Sequence, residues 1–261
     1  MTALGMLGTV SFMSVSRSKP LDKLSKVRPL TSIFHPALFL SLLGQFAIHL
    51  MTMYTSVQSA KKLDPESLIV DLDGQFKPGM LNTVVFLVGG VQQVTVFFVN
   101  LQGRPFMTGV TENRPLLWSL AATFILTFML ASESVPGLNR YLQLVSFPDE
   151  SFRDFILMLL GMNLFATFAW DRLMQFFFCR DILAASVEGT TIWDVFGILK
   201  TFAIIGVIMH VFLGNSDQWD EMLALENEAF NATNATDVLD AVSECVGEAC
   251  EVINQTLHDE F

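Results

Sequence analysis

Gln45 and His49 are spaced four apart, so on a helix they share one face. Both sit in a run otherwise built of Leu, Phe, Ile and Met. Asn82, Gln92, Gln93 and Asn100 fall in a second such run, and Asn163 in a third. Polar side chains in this company have two readings. One is a path for a polar group across a membrane, formed by Gln45, His49, Gln92, Gln93 and Asn163. The other, the commoner use, is hydrogen bonding between neighbouring helices. A proton relay would need an acid or an arginine in mid-run. Glu133 and Asp171 instead read as edge residues, and Asp171-Arg172 as a local ion pair at the membrane interface.

Bond-making chemistry has less to stand on. The chain contains no Gly-x-x-x-x-Gly-Lys-Ser/Thr phosphate loop, no His-Glu-x-x-His and no Gly-x-Ser-x-Gly. His35, His49, His210 and His258 are scattered. Cys179, Cys245 and Cys250 are too few for a disulfide framework or a zinc site. No catalytic residue, metal site or cofactor is assigned to the chain itself. Gly89-Gly90, Gly161 and Gly206 read as points of close helix packing. Asn231, Asn234 and Asn254 each begin an Asn-x-Thr tripeptide and are candidate glycosylation sites. Cys245 and Cys250 could pair beside them in an oxidising lumen. The alternative is an unmodified acidic tail on the cytosolic side.

The elements that must hold these residues follow from hydropathy. The chain has 261 residues, 52% of them hydrophobic and 16% charged, with a mean hydropathy of +0.49. A soluble domain carries about 25% charged residues. A helix crossing a bilayer needs about 20 mainly apolar residues. Residues 33–57, 79–101, 115–132 and 152–170 meet that test, the last extendable to 178. Residues 191–213 meet it only by including Lys200 and Asp194. An interfacial helix is the alternative there. Residues 1–16 are apolar but, at 1.5 Å per residue, reach about 24 Å, short of a core of about 30 Å. They read as the end of a span that begins upstream. No charged n-region precedes them and no cleavage site follows. The expected fold is an all-α, polytopic membrane helix bundle. It has a partial span over 1–16, a basic cytosolic loop over 17–32, a four-helix bundle over 33–178, an added C-terminal span over 191–213 and an acidic tail over 214–261.

Charge orients the spans. All 15 Lys and Arg lie at or before residue 200, whereas 214–261 carries twelve Asp and Glu. No basic face remains for nucleic acid. Loops 17–29, 102–114 and 171–190 hold nine basic residues, against four in loops 58–78 and 133–151. The first set is therefore read as cytosolic. If 191–213 spans, the tail falls on the luminal side.

The loop 14–29, Ser-Val-Ser-Arg-Ser-Lys-Pro-Leu-Asp-Lys-Leu-Ser-Lys-Val-Arg-Pro, resembles the cytosolic loop after the sixth core helix of type V-A P-type ATPases, the endoplasmic-reticulum helix dislocases. Gly103-Arg104-Pro105-Phe106-Met107 and Glu112-Asn113-Arg114-Pro115-Leu116 are similar to that family's next cytosolic turn. The run from Ala169 to Phe177 is similar to the end of its last core helix. In order and spacing these matches cover roughly residues 10–178.

The resemblance implies the membrane portion of an enzyme that uses ATP and magnesium to phosphorylate a cytosolic aspartate. Such enzymes extract mistargeted transmembrane helices, notably mitochondrial tail anchors, from the endoplasmic-reticulum membrane. It implies as partners the lipid bilayer, client transmembrane helices and ATPase domains whose motifs do not occur in these residues. Arg17, Lys19, Lys23, Lys26 and Arg28 would then form a loop coupling those domains to the membrane, or would simply face anionic lipid. The stretch after Phe178 departs from the family pattern and puts its cytosolic C-terminus in doubt. The alternative function is a non-enzymatic membrane scaffold derived from such an ATPase.

Overall fold

The computed structural model describes residues 2–21, 25–63, 78–101, 103–110, 112–188, 191–214, 218–225 and 227–228. Eight helices follow in order among them: α1 (Thr2–Ser16), α2 (Pro36–Leu63), α3 (Met80–Asn100), α4 (Arg114–Ala131), α5 (Pro136–Tyr141), α6 (Glu150–Phe178), α7 (Arg180–Glu188) and α8 (Ile192–Leu213). Five of them, α2, α3, α4, α6 and α8, are long and apolar enough to cross a membrane. The chain is a polytopic helical bundle, as the hydropathy indicates. The chain divides into two units, residues 1–214 and 215–261. In the second, 218–225 are helical.

Helix α2 shows why the solvent for this bundle is lipid. Its buried residues are Ala37, Ser41, Gln45, Thr52, Ser56 and Ala60, all small or polar. Its exposed face carries Phe39, Leu42, Leu43, Phe46, Leu50, Met51 and Tyr54. A helix in water shows the reverse pattern. In hydrocarbon each backbone polar group must be satisfied within the segment, so a run of this length is stable as a helix. The hydroxyls obey the same constraint. Thr52, Thr95, Thr123, Thr127 and Thr167 each donate to the carbonyl four residues back, at 2.7–2.9 Å.

Helix α3 is central, packing against α2, α4 and α6 and more lightly against α1. Its inward residues Val84, Leu87, Val88 and Val91 are fully buried. Helix α1 packs on α4, where the Ser11 and Ser119 hydroxyls meet at 2.9 Å. Helix α8 rests mainly on α4, with Phe202 against Phe124 and Ile205 buried.

Several boundaries differ from the hydropathy reading for local reasons. Helix α2 runs on through Lys61 and Lys62, cations in a last turn that complement the helix dipole. Asn113 caps α4 through its side chain, with Pro115 in the first turn, and Asp149 caps α6. Asp194, counted above as a charge inside the last span, instead closes a capping box with Thr191. The charge thus stays at the helix end. The short helices α5 and α7 fall in segments read as loops. Of the glycines read as packing points, Gly90 meets Thr127, while Gly89, Gly161 and Gly206 have nothing within 4 Å of a Cβ.

Candidate functional site

A polar seam runs along the α2–α3–α6 contact in two layers. In the first, Ser41 donates to Asp171 Oδ1 at 2.7 Å, and Gln175 Nε2 donates to Asp171 Oδ2 at 2.8 Å. Gln45 Nε2 donates to Ser41 Oγ at 2.9 Å and to Asn100 Oδ1 at 3.2 Å, while Asn100 Nδ2 donates back to Gln45 Oε1 at 2.9 Å. A cavity of about 30 Å³ beside Ser41, Asn100 and Asp171 has room for about one water. In the second layer, Asn163 Nδ2 approaches His49 Nδ1 at 3.1 Å and donates to Thr52 Oγ1 at 3.0 Å. Gln92 donates to the His49 carbonyl at 2.8 Å. His49 Nε2 and Asn163 Oδ1 are buried without a hydrogen-bond partner.

The structure therefore brings Gln45, His49, Gln92 and Asn163 to one contact surface and sends Gln93 elsewhere. Gln93 lies against Gly8 of α1, because adjacent helical residues point about 100° apart. Asp171 is the main correction. Its side chain is turned into the bundle rather than outward. It lies seven residues inside the end of α6, 6% exposed and hydrogen-bonded across to α2. Its contact with Arg172, at 3.7 Å, is the looser of its interactions. Sequence reading passed over Ser41 and Gln175. The available signal was spacing: Ser41 precedes Gln45 by four and Gln175 follows Asp171 by four, so each extends the same helix face.

A second constellation occupies the end of the bundle where the basic residues collect. The segment after α1 is hydrogen-bonded to the turn between α3 and α4. Thr108 N–H donates to the Lys19 carbonyl at 3.0 Å, Leu21 N–H to the Phe106 carbonyl at 3.4 Å, and Pro20 bridges to Met107. Asn113, while capping α4, also donates its amide to the Ser14 carbonyl at 2.8 Å. Arg104 pairs with Glu112, and Glu112 accepts the Gly109 N–H at 2.8 Å. That backbone bond, aided by Arg104, holds the Glu112 carboxyl below its usual range despite partial desolvation. Gly103 is required here: a Cβ would lie 2.8 Å from the Gly109 Cα and 3.1 Å from the Thr108 carbonyl oxygen. Arg17, Lys19, Lys26 and Arg28 are exposed. Lys23 and the candidate glycosylation residues Asn231, Asn234 and Asn254 lie outside the described residues, as do Cys245 and Cys250. Cys179, at the end of α6, has its thiol pushed up by burial and by the nearby Asp181.

No family model matches the chain. Curated relatives do. The chain is 37% identical over 180 residues to the endoplasmic reticulum transmembrane helix translocase of Saccharomyces cerevisiae, which covers 69% of this chain. It is 40% identical over 149 residues, or 57% of this chain, to the endoplasmic reticulum transmembrane helix translocase spfA of Aspergillus fumigatus.

The chain belongs to the type V P-type ATPases.

A further member of this ATPase family, from Arabidopsis thaliana, is named Probable manganese-transporting ATPase PDR2; it is 37% identical over 177 residues, 68% of this chain. The chain spans 11–15% of the length of these three ATPases. It is a multi-pass membrane protein of the endoplasmic reticulum. The clamp at its basic end uses Gly103 for close approach, Arg104 and Glu112 as a pair, and Asn113 as the α4 cap.

Proposed function

We propose that this chain is the supporting membrane region of an ATP-driven translocase that extracts misplaced transmembrane helices, and that residues 17–21 and 103–113 couple its cytosolic machinery to the bilayer. The observation that carries the reading is the bond between Thr108 and Lys19. It ties a basic, exposed segment to a turn whose two ends are α3 and α4. Because α3 packs on α2, α4 and α6, a force applied to that segment has a short route into the bundle. Magnesium and ATP would act on domains outside this chain, and Arg17, Lys19, Lys23, Lys26 and Arg28 would face them.

The test is a full-length translocase containing this region with Lys19, Lys23 and Lys26 changed to Gln. ATP-dependent release of a tail-anchored reporter should fall about tenfold, with membrane insertion and helicity unchanged. Unchanged release would reduce the loop to a topology signal.

In the same reading the basic end is cytosolic, α8 crosses the membrane and the acidic tail is luminal. Treatment with an N-glycosidase should then lower the mass of the tail, through Asn231, Asn234 or Asn254. An unshifted tail that is cut by protease added from the cytosolic side would refute this arrangement.

The name of the Arabidopsis relative supports a second reading, manganese transport. The oxygens of Ser41, Gln45, Asn100 and Asp171 are the hard donors that ion takes. Translocation is favoured because both Asp171 oxygens are already engaged by Ser41 and Gln175.

A further inference from the structure

His49 and Asn163 meet at the α2–α6 contact, and each keeps one buried polar atom without a partner among the described residues. The surrounding bonds fix what kind of atom each is. The Thr52 hydroxyl donates its only proton to the Ile48 carbonyl at 2.9 Å. Toward Asn163 that oxygen can only accept, so the atom facing it is the amide nitrogen Nδ2, at 3.0 Å. The second Nδ2 proton points to His49 Nδ1 at 3.1 Å. Nδ1 is then the bare ring nitrogen, and the proton of the neutral imidazole sits on Nε2. Left over are one donor, His49 Nε2–H, and one acceptor, Asn163 Oδ1.

The setting makes that pair expensive to leave unfilled. Asn163 is 2% exposed, and both residues sit midway along helices that span the bilayer, where no bulk water reaches. The other layer of the seam shows how such groups are answered: the carboxamides of Gln45 and Asn100 bond to each other in both directions, at 2.9 and 3.2 Å. His49 and Asn163 have no such answer. Access lies on the α2 side. His49 is only partly buried, and Leu42 and Phe46, seven and three residues before it, share its face and are 45% and 64% exposed. The polar pair thus borders an apolar ridge turned to the lipid.

We propose that His49 and Asn163 recognise a carboxamide, that of an Asn or Gln midway along a client transmembrane helix packed on the Leu42–Phe46 ridge. A carboxamide supplies both missing halves, a C=O for His49 Nε2–H and an N–H for Asn163 Oδ1. Other polar side chains supply one half. A carboxylate cannot donate and an ammonium cannot accept. A Ser or Thr hydroxyl inside a helix spends its proton on its own backbone, as Thr52, Thr95 and Thr167 do here, and is left only to accept. The proposal rests on the translocase reading for the source of the helix. The recognition itself involves no ATP.

The test is energy transfer in phosphatidylcholine nanodiscs between the labelled full chain and a labelled helical peptide of about 20 Leu and Ala residues, kept dilute enough to stay monomeric. Three peptides are compared: one all apolar, one with a central Asn and one with the Asn near an end. The central-Asn peptide should bind about fivefold more tightly than the apolar one, and the end-Asn peptide should gain less than about twofold. Asn163→Leu should erase the central-Asn advantage and leave binding of the apolar peptide unchanged. The three-peptide comparison uses the parent chain, so it decides the matter even if Asn163→Leu misfolds. Equal binding of the central-Asn and apolar peptides, an end-Asn peptide that binds as well as the central one, or an advantage that survives Asn163→Leu overturns the proposal. The assay contains no ATP, so its failure is distinct from a failure of tail-anchor release.

Discussion

Replacing Gly44 by alanine should weaken the α2–α6 contact by about 1–3 kcal/mol, the usual cost of forcing extra volume into a packed site. A Cβ at Gly44 would overlap Trp170 Nε1 and Trp170 Cε2. The indole is held there because Nε1 donates to the Leu40 carbonyl at 3.0 Å. The ring must therefore swing out, surrendering that bond, or the helices must part. Among the described residues no other pair of helices packs as extensively as α2 and α6, so the effect should be large. Dodecylsulfate titration of the detergent-solubilised chain, followed by loss of helicity, would read it. The loss should shrink in a Trp170→Ala background. Alanine at Gly89, Gly161 or Gly206, where nothing lies within 4 Å, should be neutral or mildly stabilising. A Gly44→Ala chain as stable as the parent would mean the indole does not occupy the position described.

Changing Asp171 to leucine should cost about 1–3 kcal/mol, because buried donors lose their acceptor. Ser41 Oγ and Gln175 Nε2 both donate to Asp171, and Gln45 is bonded to Ser41 in turn. Asp171→Asn keeps one acceptor oxygen and should cost less. A double-mutant cycle between Ser41→Ala and Asp171→Asn should show a coupling of roughly 0.6–1.7 kcal/mol, the range found for hydrogen bonds between membrane helices. The same titration separates the two readings of the seam. If Asp171 serves as glue, the leucine variant is the least stable of the set. If the leucine variant is more stable than the parent, the carboxylate is retained at a cost to the fold, and the seam is a path or a binding site.

The two predictions rest on contacts of different legibility. The glycine is visible in the sequence, but its neighbour is 126 residues away and lies on another helix. The seam is half visible. Gln45 and His49 share a face by spacing alone, whereas their partners Asn100 and Asn163 are separated from them by 55 and 114 residues. Ser41 and Asp171 are 130 apart. Gln92 and Gln93 look alike in sequence and part company in the fold, one toward α2 and one toward α1.

What the sequence determined by itself was the set of long apolar helices and the sorting of most basic residues to one end. These are local matters. In hydrocarbon a run of about 20 apolar residues has no stable form but a helix, and Asn113, Asp149 and Asp194 cap the helices that immediately follow them. Only the tertiary structure decided which helices touch, that Asp171 is buried between α2 and α6, that α1's following segment is bonded to the 103–108 turn, and that α8 rests mainly on α4. A helical repeat says which residues share a face, not which face they meet. That choice comes from close packing and hydrogen bonds between residues far apart in the chain, which no local pattern records.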